Sequence, residues 1–329
     1  MEKLWCVRQD VYTSDENAKY ETIFTLANGY KGIRGTLEFS DIGRKGHFIA
    51  GVFDKAGGQV TELVNCQDSL GFNIYVDGEK LDTDRCEILD FDRYLDMKKG
   101  LLVTNLELQN QNGKITKIES RRFVSRNNVH RWGATYKISP VNYSDKIMIE
   151  NIIDGAAYNY DKELNQEIKH LNIEGLYDLG SGIALRTSTK DNGIEIIEGS
   201  ILKADNSRGN VLRNREYVEL GEKINEIYEI EVEENEEYRI EKYCVTYTSR
   251  DAESNLYQLF IGDIKDYVYK GLNKELSLHT YRWEKIWDDI DVKIEGDDLA
   301  QVGIRFNVYQ LYSSAYDGDN RISIGAKAL

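Results

Sequence analysis

A chain of 329 residues with 42 basic and 57 acidic side chains carries a net charge of −15, and 41% of it is hydrophobic against 30% charged. This is the composition of a folded globular chain, long enough to bury a core without staples and to hold two domains or one large β domain with an appendage. The acidic balance argues against a phosphate-backbone binder, which would supply Lys and Arg to displace counterions, so no nucleic-acid partner is expected. No stretch approaches the roughly 20 apolar residues of a membrane helix, and Met1 to Asp10 holds no apolar signal core, so no membrane partner is expected either. Cys6, Cys66, Cys86 and Cys244, with no Cys-x-x-Cys spacing, fit a reducing, cytoplasmic setting.

A single proline, Pro140, stands against 22 tyrosines and 27 glycines, which favours long regular strands over extended linkers. The first distinctive string is Asn28-Gly29-Tyr30-Lys31-Gly32-Ile33-Arg34-Gly35. It lacks the Gly-x-Gly core of a nucleotide loop and no βαβ pattern surrounds it, so it reads as a glycine-rich strand turn where backbones approach closely. Further on, Leu102, Thr104, Leu106 and Leu108 share one face of a strand, with Val103, Asn105 and Glu107 on the other. Asn112-Gly113 then supplies the positive φ of a hairpin turn before a return strand begins at Ile115 and Ile118. The same pattern recurs around Asp191-Asn192-Gly193, between Ile183-Ala184-Leu185 and Ile194 to Ile197. A third pair of strands, Tyr228 to Val232 and Tyr238 to Tyr243, is expected to be joined as a hairpin through Glu233 to Glu237. Many strands at this spacing predict a mainly β protein built as one large antiparallel β-sandwich.

After residue 250 the period becomes helical. Asp251 is placed as the N-cap of a helix through Leu256, Leu259, Phe260 and Ile264. A second helix, from about Asn273, carries Leu276, His279, Trp283, Ile286 and Ile290 on one stripe, with Trp287 beside it. A third follows Glu295-Gly296-Asp297 with Leu299, Val302, Phe306 and Tyr309 at three- and four-residue steps. Three helices are too few to bury their apolar faces on one another, so they must pack on the sandwich or on something outside the chain.

Residues that could carry chemistry are scattered. His47, His130, His170 and His279 show no two-ligand metal spacing, and His279, on an apolar stripe, reads as a packing histidine. The acidic run from Glu226 to Glu237 alternates with Ile, Tyr and Val, so it reads as a solvated strand face with a charged tip rather than a cation site. Asp288, Asp289, Asp291, Asp297, Asp298, Asp317 and Asp319 include no pair that local spacing would set across a sugar. Trp5, Trp132, Trp283, Trp287 and the tyrosines offer flat faces for a sugar ring, and serve equally as β-core packing.

Particular strings carry more than their physics. Asn28 to Gly35, His47-Phe-Ile-Ala-Gly-Val-Phe-Asp54 and Glu62-Leu-Val-Asn65 resemble the opening of glycoside hydrolase family 65, the disaccharide phosphorylases of maltose, trehalose, kojibiose and nigerose. Trp283-Glu-Lys-Ile-Trp-Asp-Asp-Ile290 resembles that family's linker helix. Gln301 to Leu311 resembles the first helix of its barrel, and Asp319-Asn-Arg-Ile-Ser-Ile-Gly-Ala-Lys327 the stretch before its active-site loop. The resemblance implies a sandwich over 1–250, a helical linker over 251–295, and over 296–329 the first helix and lead-in of an (α/α)6 catalytic barrel. It implies inverting phosphorolysis of an α-linked glucose disaccharide, with a protonated glutamate as acid and inorganic phosphate as co-substrate and nucleophile.

No residue up to Leu329 matches the family's Trp-Asp sugar-binding pair, catalytic glutamate or phosphate loop, so the resemblance assigns no catalytic residue, metal or cofactor here. The expectation is a non-catalytic N-terminal portion that braces the barrel and works as a homodimer or with a complementary barrel polypeptide. A standalone carbohydrate-binding module is the alternative. Arg321 and Lys327 are the two candidates for the phosphate side of a substrate site, with structural salt bridges the favoured role for both. The sequence departs from the family pattern at His47, at Cys66-Gln67-Asp68 and at Ala328.

Overall fold

In a computed structural model the described residues are 2–57, 60–161, 165–252, 255–316 and 318–322. Two antiparallel sheets face each other. The larger has ten strands, in the order Cys6–Gln9, Glu87–Asp96, Leu101–Gln109, Ile115–Val124, Arg131–Pro140, Tyr238–Thr248, Glu195–Asn206, Ile183–Thr189 and Leu171–Asp178, with Gly209–Asn210 added beside Glu195–Asn206. The smaller runs Arg213–Leu220, Lys223–Val232, Asp145–Asp154, Phe72–Val76, Glu79–Lys80. Between them lies the core: Phe72 and Tyr136, one from each sheet, stack with ring centroids 3.8 Å apart. The sandwich followed by helices agrees with the expected fold class.

Among the described residues four α-helices complete the fold: α1 (Ser14–Ile23), α2 (Leu256–Lys270), α3 (Leu272–Ile290) and α4 (Asp298–Ser314). Helices α2 and α3 cover the outer face of the large sheet, so its central strands are buried on both sides. This explains why Leu101 to Thr104 is a continuous buried run: Leu101 and Val103 meet the helices, while Leu102 and Leu106 meet the core between the sheets. Two glycines make the close approach possible. A Cβ at Gly199 would lie 2.3 Å from Phe260, and one at Gly133 would lie 2.5 Å from Leu272, so the sheet has dents there into which the helices press.

The hairpins centred on Asn112-Gly113 and Asn192-Gly193 form as expected, each with its glycine at positive φ. The third does not. Lys223–Val232 pairs with Asp145–Asp154 in the small sheet, whereas Tyr238–Thr248 pairs with Arg131–Pro140 and Glu195–Asn206 in the large one. Residues 233–237 therefore cross between sheets, held by Tyr238 Oη, which accepts from Glu233 N at 2.8 Å and donates to Glu236 Oε2 at 2.9 Å. Nor is the acidic run wholly solvated: Glu226 is buried, accepting from Asn151 Nδ2 (2.8 Å) and Arg215 Nε (3.0 Å). Asp251 is not a helix cap. Its carboxylate accepts from Thr248 N (2.7 Å) and Tyr30 Oη (2.5 Å), and α2 starts after Asn255 in a left-handed conformation.

The sandwich interior is not uniformly apolar. Glu198, fully buried, is paired with the Lys31 ammonium and accepts from Ser69 Oγ and, at 3.3 Å, from Trp132 Nε1. Lys31 Nζ also donates to Thr246 Oγ1 at 2.8 Å. Burial, the largest single influence, pushes the Glu198 carboxyl up, but the Lys31 charge, the nearby His47 ring and the hydrogen bonds from Lys31 and Ser69 together hold it below the ordinary carboxylate value. Removing one partner strands the other charge in the core. Glu198→Ala is expected to lower the unfolding free energy by about 3–5 kcal/mol, read from the midpoint of denaturant unfolding.

Candidate functional site at the junction of helices and sandwich

The candidate residues near the end of the chain are organised by how the last helices seat on the sandwich. Arg131, at the start of its strand, is the anchor. Its guanidinium is buried and bonds to Asp263, to Asp266 (2.7 Å) and to Glu275 (3.0 Å), which belong to α2 and α3. Asp263 and Asp266 stand three residues apart, so they share one face of α2, and one cation serves both. Sequence reasoning missed this cluster. The only local signal was a pair of acidic residues on the sheet-facing side of a helix, and the strand that answers them lies far off in the chain.

His279 sits one turn beyond Glu275 and is fully enclosed. Its Nδ1 accepts from Arg126 N at 3.1 Å, so its Nε2 carries the proton and donates to Gly100 O at 3.1 Å. The ring is a packing histidine with a clamped neutral tautomer, in line with the expectation. Nearby, Trp283 stacks on Trp287 (6.1 Å) and on Tyr309 of α4 (4.7 Å).

Helix α4 follows its expected stripe in part. Tyr309 is buried and Val302 and Phe306 pack half-buried on the core, but Leu299 is 83% exposed, and Gln301, Arg305, Ser313 and Ser314 are buried beside Tyr309. The reason is specific polar bonding. Arg305 forms a two-pronged pair with Asp291 (2.8 Å for each bond), donates to Leu4 O (3.1 Å) and lies 3.6 Å over the Trp5 ring. Gln301 accepts from Ile294 N and donates to Val292 O. Asp297, an N-cap, accepts from Ala300 N at 2.9 Å.

Past α4 the chain returns to the glycine-rich turn. Ala315 O passes so close to Gly29 that a Cβ there would lie 2.1 Å away, and Gly29 also has φ of 86°, so both sterics and backbone require glycine. Tyr316 packs edge-on against Tyr30. Arg321 bonds Asp319 through Nε (2.7 Å) and Nη2 (2.8 Å) and donates to Arg250 O (2.9 Å), while Arg250 Nη2 reaches the same carboxylate at 2.9 Å. The Arg321 bonds, reinforced by the Arg250 pair, hold the Asp319 carboxyl below its ordinary range. Lys327 lies outside the described residues, as does Asp317.

The other candidates have structural partners. Asp291 and Asp297 serve α4 as above, Asp288 pairs with Lys285, and Asp289 and Asp298 are exposed. Trp132, Trp283 and Trp287 are buried and Trp5 lies beneath Arg305, so none of the four tryptophans is an open sugar platform. His47 pairs with Asp68 at 2.8 Å, and His170 bridges Asp54 and Glu62. Among the described residues no three His, Cys, Asp or Glu side chains group as a metal site, and no helix is long and apolar enough to cross a membrane.

The described residues thus form a two-sheet sandwich with three further helices seated on it through apolar contacts and the Arg131 and Arg305 ion pairs. The chain belongs to glycosyl hydrolase family 65, whose N-terminal domain model matches residues 7–286. It is 42% identical to the kojibiose phosphorylase of Caldanaerobacter subterraneus subsp. tengcongensis, covering 99% of this chain and 43% of that protein. It is 31% identical to the alpha,alpha-trehalose phosphorylase of Thermoanaerobacter brockii and 28% identical to the maltose phosphorylase of Bacillus subtilis, covering 44% of each. A solved structure assigned as a kojibiose phosphorylase from the human microbiome superimposes with a TM-score of 0.88 at 18% identity, over the whole chain and 44% of that structure. The chain thus spans less than half the length of the curated relatives it matches.

The junction has a pH signature. Burial pushes His279 down to about 4 from the ordinary 6.5, so the unfolded chain binds the proton more readily and stability falls as pH drops through that window. The loss approaches roughly 3 kcal/mol below pH 4 and is absent above pH 6.5. Denaturant midpoints measured from pH 7 to pH 4 are expected to fall less steeply in His279→Gln than in the parent.

Proposed function

We propose that this chain is the non-catalytic N-terminal portion of an inverting α-glucoside phosphorylase, acting in the cytoplasm on an α-linked glucose disaccharide and inorganic phosphate. Residues 1–250 form its sandwich, 251–295 its helical linker, and 296–329 the lead-in to the catalytic barrel. The observation that carries this reading is the seating of α4. Its Gln301, Arg305 and Tyr309 side is fixed to the sandwich and linker, and Leu299, Leu311 and Tyr312 stay exposed for a further polypeptide to cover. On this reading that polypeptide is a catalytic barrel, contributed by the same protein, by a homodimer partner or by a complementary chain, and the family relationship supports it. Four free cysteines suit the reducing compartment. Arg321, pinned between Asp319 and the Arg250 carbonyl, positions the segment that leads toward the barrel.

The 329-residue chain mixed with phosphate and kojibiose, maltose, nigerose or trehalose is expected to release no glucose 1-phosphate. Co-expression with a polypeptide carrying the barrel is expected to restore release, and Leu299→Glu with Leu311→Glu to prevent restoration while the chain stays folded. Turnover by the chain alone would overturn the reading.

A further inference from the structure

Away from the junction, and built from none of its residues, the sandwich carries a cleft of about 570 Å³, inside the range of ligand-sized pockets. Segments 34–48, 62–68 and 154–160 meet to form it, joined by Glu167. Two asparagines brace them. Asn65 accepts from His47 N and donates to Lys45 O and Tyr158 O, while Asn159 accepts from Asn65 N (2.8 Å) and donates to Leu63 O (2.8 Å). The walls are therefore cross-linked before any ligand arrives, and the shape is set in advance.

Two tyrosines at the rim keep large apolar faces in solvent: Tyr158 is 44% and Tyr160 42% exposed. Their hydroxyls are tied back, to Glu167 and Asn165 respectively, and the Arg44 guanidinium lies 5.4 Å over the Tyr160 ring. Fixed aromatic faces beside amide and carboxylate groups suit a molecule with apolar C–H faces and hydroxyl edges. Charge decides against an anion. Arg34, Arg44 and Lys45 face Glu62, Asp68, Asp154 and Glu167, three cations against four carboxylates, and Arg34 and Lys45 are already paired with Glu21 and Asp68.

We infer that this cleft binds a short neutral oligosaccharide, with the Tyr158 and Tyr160 rings as its stacking faces. It is a holding site whose test does not depend on turnover. In calorimetric titration of the chain with maltotriose, kojibiose, isomaltotriose and cellotriose, at least one sugar binds saturably and inorganic phosphate does not compete. Tyr158→Ala with Tyr160→Ala weakens that binding about ten-fold or more, whereas Tyr158→Phe with Tyr160→Phe retains it. Hydrogen exchange on the unaltered chain supplies a second reading: the bound sugar protects amides in 43–48 and 156–160. Binding by none of the four sugars, displacement by phosphate, or protection confined to other segments overturns the inference.

Discussion

One buried arginine sets how α2 and α3 seat on the sandwich. Arg131 is withdrawn from water and remains charged because Asp263, Asp266 and Glu275 surround it. A lone cation in that position would cost several kcal/mol, so the sheet and the two helices are each incomplete without the other. Directional bonds from one guanidinium to two helices fix their rotation on the sheet as well as their contact with it. The dents at Gly133 and Gly199 then receive Leu272 and Phe260 only in that rotation. Electrostatics selects the arrangement, and packing supplies most of its stability.

The same division of labour runs through the interior. Between the sheets, Lys31 and Glu198 form an ion pair inside a core of Ile, Leu and aromatic side chains. Such pairs contribute little net stability compared with a well-packed apolar substitute, but they penalise any register in which the partners separate. In a sheet whose central strands are apolar on both faces, alternation alone leaves the register weakly specified. The ion pair supplies what the alternation lacks.

Much of the fold was legible in the sequence because it is encoded locally. The alternation at Leu102 to Leu108 and the Asn-Gly turns at 112–113 and 192–193 act over a few residues, and the structure follows them. The crossing at 233–237 was not legible, since a strand's period is the same whichever sheet it joins. Helix α4 shows the same limit: spacing says which residues share a face, and it cannot say that Trp5 and Asp291 will draw the Arg305 face inward. For the site, Arg321 was found with its expected salt-bridging role, whereas the Arg131 cluster and the Tyr158 cleft combine segments remote in sequence. Each of their residues, taken singly, is an ordinary surface type.

The seating of α4 has a kinetic consequence. A helix held by apolar contacts alone can roll to hide its greasy side against the nearest surface, and must be turned again before a partner can use it. Here rolling would tear Arg305 from Asp291 and from the Trp5 ring, and Gln301 from the 292–294 backbone. Leu299 and Leu311 are therefore displayed in a single orientation, like a key held upright. A polypeptide docking there, as proposed above, would meet a ready surface, and the search before docking would be shortened to the approach itself.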